Sequence, residues 1–160
     1  MGYDLIWYNI GMKIKGNVKL TIENVITKKV EIFELHNIAC TVGKYSLASR
    51  MAGAEKGDVT YLAVGTGASG GGDAPAVGDT TLKTELIRKQ ISVRSSTTDT
   101  ANFRVFFSTS EANDTLTEIG LFGDDATVAG DSGTLFARAV ITKTKTDAET
   151  LTIDWSLTIT

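Results

Sequence analysis

The chain has 160 residues, of which 42% are hydrophobic and 22% charged, a formal net charge of -3 and a single cysteine. A sequence of that length folds most simply as one domain with its own core, without disulfide or metal staples. The acidic balance argues against nucleic acid as the main partner, since no basic stripe can neutralise many phosphates, and the lone Cys40 excludes an intrachain disulfide.

Residues 1–11, MGYDLIWYNIG, are apolar and aromatic. They make up about half of a membrane span and lack the basic start and small-residue cleavage site of a signal peptide. The expected role is an arm, with Leu5, Ile6, Trp7 and Tyr8 either clamping a neighbouring subunit or packing on their own domain. The domain proper is expected over 12–160.

From Met12 onward the pattern alternates with period two, the signature of half-buried antiparallel strands. Ile14, Val18, Leu20 and Ile22 share one face, against Lys13, Lys15, Lys19 and Thr21 on the other. A hairpin around NVITKK leads to a second strand over 29–37. CTVGKYSLASRMAG then breaks the alternation, with Val42, Tyr45, Ala48 and Met51 at helical spacing. This predicts one helix over roughly 42–52, its apolar stripe plugging an open end of a sheet, with Gly53 at the positive-φ position after it.

Further strands are predicted over 59–65, 85–95, 101–109, 116–123, 134–142 and 150–160. Phe103, Val105 and Phe107 point one way in one of them, and Leu151, Ile153, Trp155, Leu157 and Ile159 in the last. Arg88, Lys89 and Arg94 read as a solvated strand face. Eight or nine short strands with one short helix make an all-β, mainly antiparallel domain, a β-sandwich or jelly-roll-like fold.

Gly65, Gly67 and Gly70 have the G-x-G-x-x-G spacing of a dinucleotide turn and come directly after a strand. Such a turn needs a helix to begin at its third glycine, so that amides and the helix dipole meet the pyrophosphate. GGDAPAVGD comes next instead, and its glycines and Pro75 cannot carry a helix. The stretch reads as a long mobile loop leaving a core strand, with Gly65, Gly67, Asp73 and Pro75 placed to contact a neighbouring subunit. No cofactor is expected.

Catalysis is expected to be absent. A triad needs an orientable base, and the only histidine, His36, lies in a strand with no G-x-S-x-G elbow anywhere. Cys40 is four residues away but reads as a small buried apolar side chain. Asp73, Asp79, Asp124, Asp125 and Asp131 sit in glycine-rich loops without calcium-loop spacing, so they read as solvated turns and no metal is assigned. Glu111 and Glu118 are expected to pair with Arg104 or Arg138 across the sheet.

The segments YLAVGTGASGGGDAPAVGDTTLKTELIRK, FFSTSEANDTLTEIGLFG, SGTLFARAVITKTKT and ETLTIDWSLTIT, together with the opening MKIKGNVKL, resemble a group of small tailed-bacteriophage virion proteins described as tail-fibre-like or tail-associated. The resemblance covers about 12–160. It implies a noncatalytic structural protein located in the virion, whose partners are other virion proteins and copies of itself, with no nucleic acid, membrane or small-molecule substrate. A capsid decoration protein clamping neighbouring capsomers is the alternative address. A carbohydrate-binding module is the alternative class, with Trp155 or Tyr61 as a stacking face.

Overall fold

A computed structural model describes residues 12–68 and 73–160. Two five-stranded antiparallel sheets pack face to face. The first has the order β2-β1-β10-β7-β6, from β1 (Ile14–Asn24), β2 (Val30–His36), β6 (Val93–Thr97), β7 (Thr100–Phe107) and β10 (Glu149–Ile159). The second has the order β3-β9-β8-β4-β5, from β3 (Ile38–Ala39), β4 (Val59–Gly65), β5 (Glu85–Gln90), β8 (Thr115–Gly123) and β9 (Thr134–Thr144). One helix, α1 (Thr41–Met51), lies against β9. The all-β sandwich with one short helix is the architecture the alternation demanded.

The core lies between the sheets. The first contributes Val18, Leu20, Ile22, Phe103, Val105, Phe107, Leu151, Ile153 and Trp155, and the second Leu62, Val64, Ile119, Leu121, Ala137 and Ala139. Register explains why: Val18 faces Trp155 and Trp155 faces Phe103, so one row of inward side chains crosses three strands. At the far end of the first hairpin, Asn24 accepts the amides of Ile26 and Thr27 through Oδ1, and Lys28 takes a φ of 60°.

The predicted strand over 85–95 is two strands in different sheets. The Ile91 amide donates to Thr60 O of β4, while the next amide, of Ser92, donates to Arg104 O of β7. The chain thus crosses from one sheet to the other between Ile91 and Ser92, β5 burying Arg88 while every residue of β6 is exposed. The two-residue β3 left no periodicity to read.

The helix ends as expected. Gly53 has a φ of +86°, and the amides of Gly53 and Ala54 return to Arg50 O and Ser49 O in a Schellman arrangement. Its inward face differs from the prediction. Tyr45, Ala48 and Met51 are not the buried positions, which are instead Gly43 and Ser46; Tyr45 and Met51 are largely exposed. The helix approaches β9 so closely that a Cβ on Gly43 would stand 2.5 Å from Phe136 Cα, and only small side chains fit such a contact.

Below α1 and the loop after β4 lies a second, smaller cluster of Cys40, Ala63, Leu82, Phe122 and Leu135. The second sheet is therefore covered on both faces, and nearly every residue of β8 is buried.

Candidate functional site

The sheet face beneath this cover carries charge. Glu118 is wholly buried, and its carboxylate accepts five hydrogen bonds: Oε1 takes the amides of Gly67 at 3.1 Å and Thr84 at 2.8 Å, while Oε2 takes the Lys83 amide at 2.9 Å and Arg138 Nε and Nη2 at 3.1 and 2.8 Å. Arg138 is equally buried and reaches on to Asp79 Oδ2 at 2.9 Å and to Asp73 O at 3.4 Å. A buried charge of this kind is tolerated only when its hydrogen-bonding capacity is filled.

Burial pushes the Asp79 carboxyl up, but the Ala76 amide and the Arg138 guanidinium outweigh it and hold the group below the ordinary aspartate value. Burial alone would lower Arg138; hydrogen bonds from it to Glu118 and Asp79 reverse that and strengthen its hold on the proton. The site is an ion-pair knot, and it tethers both ends of the glycine-rich loop to β8 and β9.

Gly65 and Gly67, expected at an interaction surface, lie at this knot instead. A Cβ on Gly65 would collide with Thr84 O, and one on Gly67 would meet Thr84 N at 2.5 Å. Both glycines permit close backbone approach, and Gly65 is buried. Ala68 donates its amide to Thr117 Oγ1 at 2.9 Å. Beyond residues 69–72, Asp73 and Pro75 are half-buried, and Val77 O accepts the Thr41 amide at the start of α1. Leu5, Ile6, Trp7 and Tyr8 lie outside the described residues.

A second loop is held by the same device. Arg88, expected on a solvated face, is 5% exposed. It makes a double contact with Glu85 at 2.6 Å, donates to Ser132 O and Thr127 O, and stacks 4.4 Å from the Phe122 ring. It thus fastens the acidic loop between β8 and β9. Asp124, expected as a solvated turn residue, accepts Ser46 Oγ and Arg50 Nη2 and anchors α1. Asp125 is exposed, as a solvated turn requires.

Of the expected cross-sheet pairs, Glu118 joins Arg138, whereas Glu111 joins Lys89 and Arg104 joins Asp154. His36 is exposed at the end of β2, and Cys40 is buried under α1, where burial pushes its thiol up to about 11. The two do not form a pair. Trp155 is 1% exposed and donates Nε1–H to Asn37 Oδ1 at 3.0 Å, so it offers no stacking face to a sugar. Among the described residues, no group of three His, Cys, Asp or Glu side chains is arranged to hold a metal ion, and no helix is long and apolar enough to cross a membrane.

The importance of Asp79 and Glu118 was hidden in sequence because each looks like an ordinary loop or strand acid. The available signal was an acid and an arginine, Glu118 and Arg138, within otherwise apolar strands. Comparison of the chain with protein families, curated proteins and solved structures gives no match.

Proposed function

We propose that the chain is a noncatalytic structural protein of a tailed-phage particle, a self-associating β-sandwich placed at the tail, its tip or its fibres. One observation carries this reading. The pieces on which the phage resemblance rests are scattered along the sequence yet meet at the buried knot: Gly65 and Gly67 of the AVGTG stretch, Asp79 of GDT, Glu118 of EIGLFG and Arg138 of GTLFAR. Their chemistry there is tethering of loops. Loop tethering by a buried ion pair is structural rather than catalytic work, in keeping with an assembly role.

The sandwich also leaves strands free for other chains. Among the described residues, β2 and β6 end the first sheet with one unpaired edge each, and every residue of β6 is exposed. Such edges accept further strands or are blunted against them.

The test is a particle image with the chain labelled and its copies counted. A few tens of copies or fewer on the tail is the expected result. Hundreds on the capsid would replace the tail address by the decoration one, and absence from the particle would overturn the virion reading altogether.

A further inference from the structure

At the end of the sandwich where β1 begins, the two sheets part around a cleft of about 550 Å³. Phe103, Leu157 and Ile159 of the first sheet face Val59 and Phe136 of the second, and Leu47 of α1 closes one side. Ala39, Val59, Phe103 and Phe136 belong to the core, yet each keeps 8–9% exposure, whereas Leu20, Phe107 and Leu151 deeper in the sandwich keep none. The cleft is thus a stretch of core wall left in contact with water, which apolar surface disfavours. A concave apolar site of this size with charges at its rim, here Arg50, Asp58, Arg94 and Asp99, suits large apolar side chains.

We propose that this cleft receives Leu5–Tyr8 from a neighbouring copy of the chain, so that subunits exchange their N-terminal arms. The proposal rests on the self-association put forward above and names its interface. Composition selects the occupant first, because Leu5, Ile6, Trp7 and Tyr8 are four consecutive large side chains with apolar bodies, and aromatic anchors dominate interface energetics.

Position selects it next. Lys13 and Thr160 exchange backbone hydrogen bonds at 2.6 and 2.8 Å, which fixes the start of the domain at the cleft, and Ile14 lines its wall. A depression lined by Met12, Ala48, Met51, Lys13 and Lys15 shares Ile14, Lys44 and Leu47 with the cleft, so the two are continuous. Eleven residues extended reach about 36 Å, enough to enter an adjoining subunit.

Direction decides between the two copies. β1 runs from the cleft mouth into the sandwich, and Met12, the first described residue, is exposed and does not line the cleft. Only Asn9, Ile10 and Gly11 separate Tyr8 from Met12, and a return into the same cleft requires a full reversal within them. Short hinges of this kind favour exchange of an identical element between protomers.

The test uses full-length chains in light scattering. Trp7→Asp spoils the arm and Ala101→Phe fills the cleft, where Ala101 is half-buried. Each variant alone is expected to be monomeric, and their equimolar mixture to form one-to-one heterodimers through the one intact arm and the one open cleft. In a Trp155→Phe background the emission of Trp7 is expected to be blue-shifted in the oligomer and to shift red on dilution to monomer. This readout stands even if Ala101→Phe fails to fold.

Unchanged self-association of Trp7→Asp would overturn arm exchange while leaving self-association intact. A wild-type chain monomeric at every concentration would overturn both. A blue-shifted Trp7 in a monomer would place the arm in its own cleft and overturn the exchange.

Discussion

Glu118 on β8 and Arg138 on β9 are diagonal neighbours, since Glu118 stands opposite Val140 and Arg138 opposite Gly120, and their side chains meet at 2.8 Å with no exposure to water. The pair lies on the sheet face turned away from the main core. Its remaining hydrogen bonds leave the sheet for the loop after β4, which makes it the joint between scaffold and loop.

Removing one partner of that joint leaves the other buried and unpaired. Glu118→Ala is expected to destabilise the fold by roughly 3–5 kcal/mol, measured as a lowered denaturant midpoint. It also strips acceptors from the amides of Gly67, Lys83 and Thr84, so amide exchange at these positions should quicken. A loss within the error of the melt would mean that water reaches Arg138.

Gly67→Ala forces a Cβ to within 2.5 Å of backbone and should cost about 1–3 kcal/mol through displacement of the loop from Glu118. Gly78→Ala is the matched control, because nothing lies within 4 Å of its added Cβ. The two melting curves should separate clearly. Equal behaviour would remove the close approach as the reason for Gly67.

Trp155→Ala should cost about 3–5 kcal/mol by opening a cavity between the sheets. Trp155→Phe keeps most of the ring but strands Asn37 Oδ1, whose bond from Nε1 is 3.0 Å, and should cost about 1–3 kcal/mol. Urea denaturation at one protein concentration distinguishes them. An unaffected Trp155→Ala variant would place the ring outside the core.

Hydrogen bonds from Lys89 and the Ser108 amide lower the Glu111 carboxyl to about 2, against 4.5 for the ordinary group. The unfolded chain therefore binds its proton first as acid is added, and stability is lost as pH falls between those values. Both partners are partly exposed, so solvent screening holds the contribution to about 1 kcal/mol. Glu111→Gln should flatten the stability profile over that window and leave its slope unchanged above.

Cys40 is wholly buried, and burial, with Asp79 adding to it, raises its thiol to about 11. Thiolate is the reactive form, so an aromatic disulfide reagent at neutral pH should label the native chain only at the rate at which it opens. Prompt labelling before denaturant is added would show that α1 does not cover the thiol.

Much of this fold was legible because strand alternation is a local property. Phe103, Val105 and Phe107, or Ile153 and Trp155, announce their common face through spacing alone, and Gly53 marks the helix end because it tolerates the positive φ of a C-terminal turn. Helix orientation was not legible in the same way. Val42, Tyr45, Ala48 and Met51 have the better apolar spacing, but close packing on Phe136 selected the small residues Gly43 and Ser46 for the inner face. The split of 85–95 was hidden because alternation does not say which sheet receives it.

The charged residues divide along the same line. Lys15 and Lys19 stay solvated, as an outward strand face requires, whereas Arg88 and Arg138, in similar local company, are buried. No sequence spacing separates these cases, because the difference lies in whether a distant loop brings carboxylates and carbonyls to cover them. By itself the sequence determined strands, faces and one helix, all set by interactions between near neighbours in the chain. Only the tertiary structure decided that the glycine-rich loop is tied to Glu118 and Arg138, and that an apolar cleft stays open beside Met12, since both depend on contacts between segments tens of residues apart.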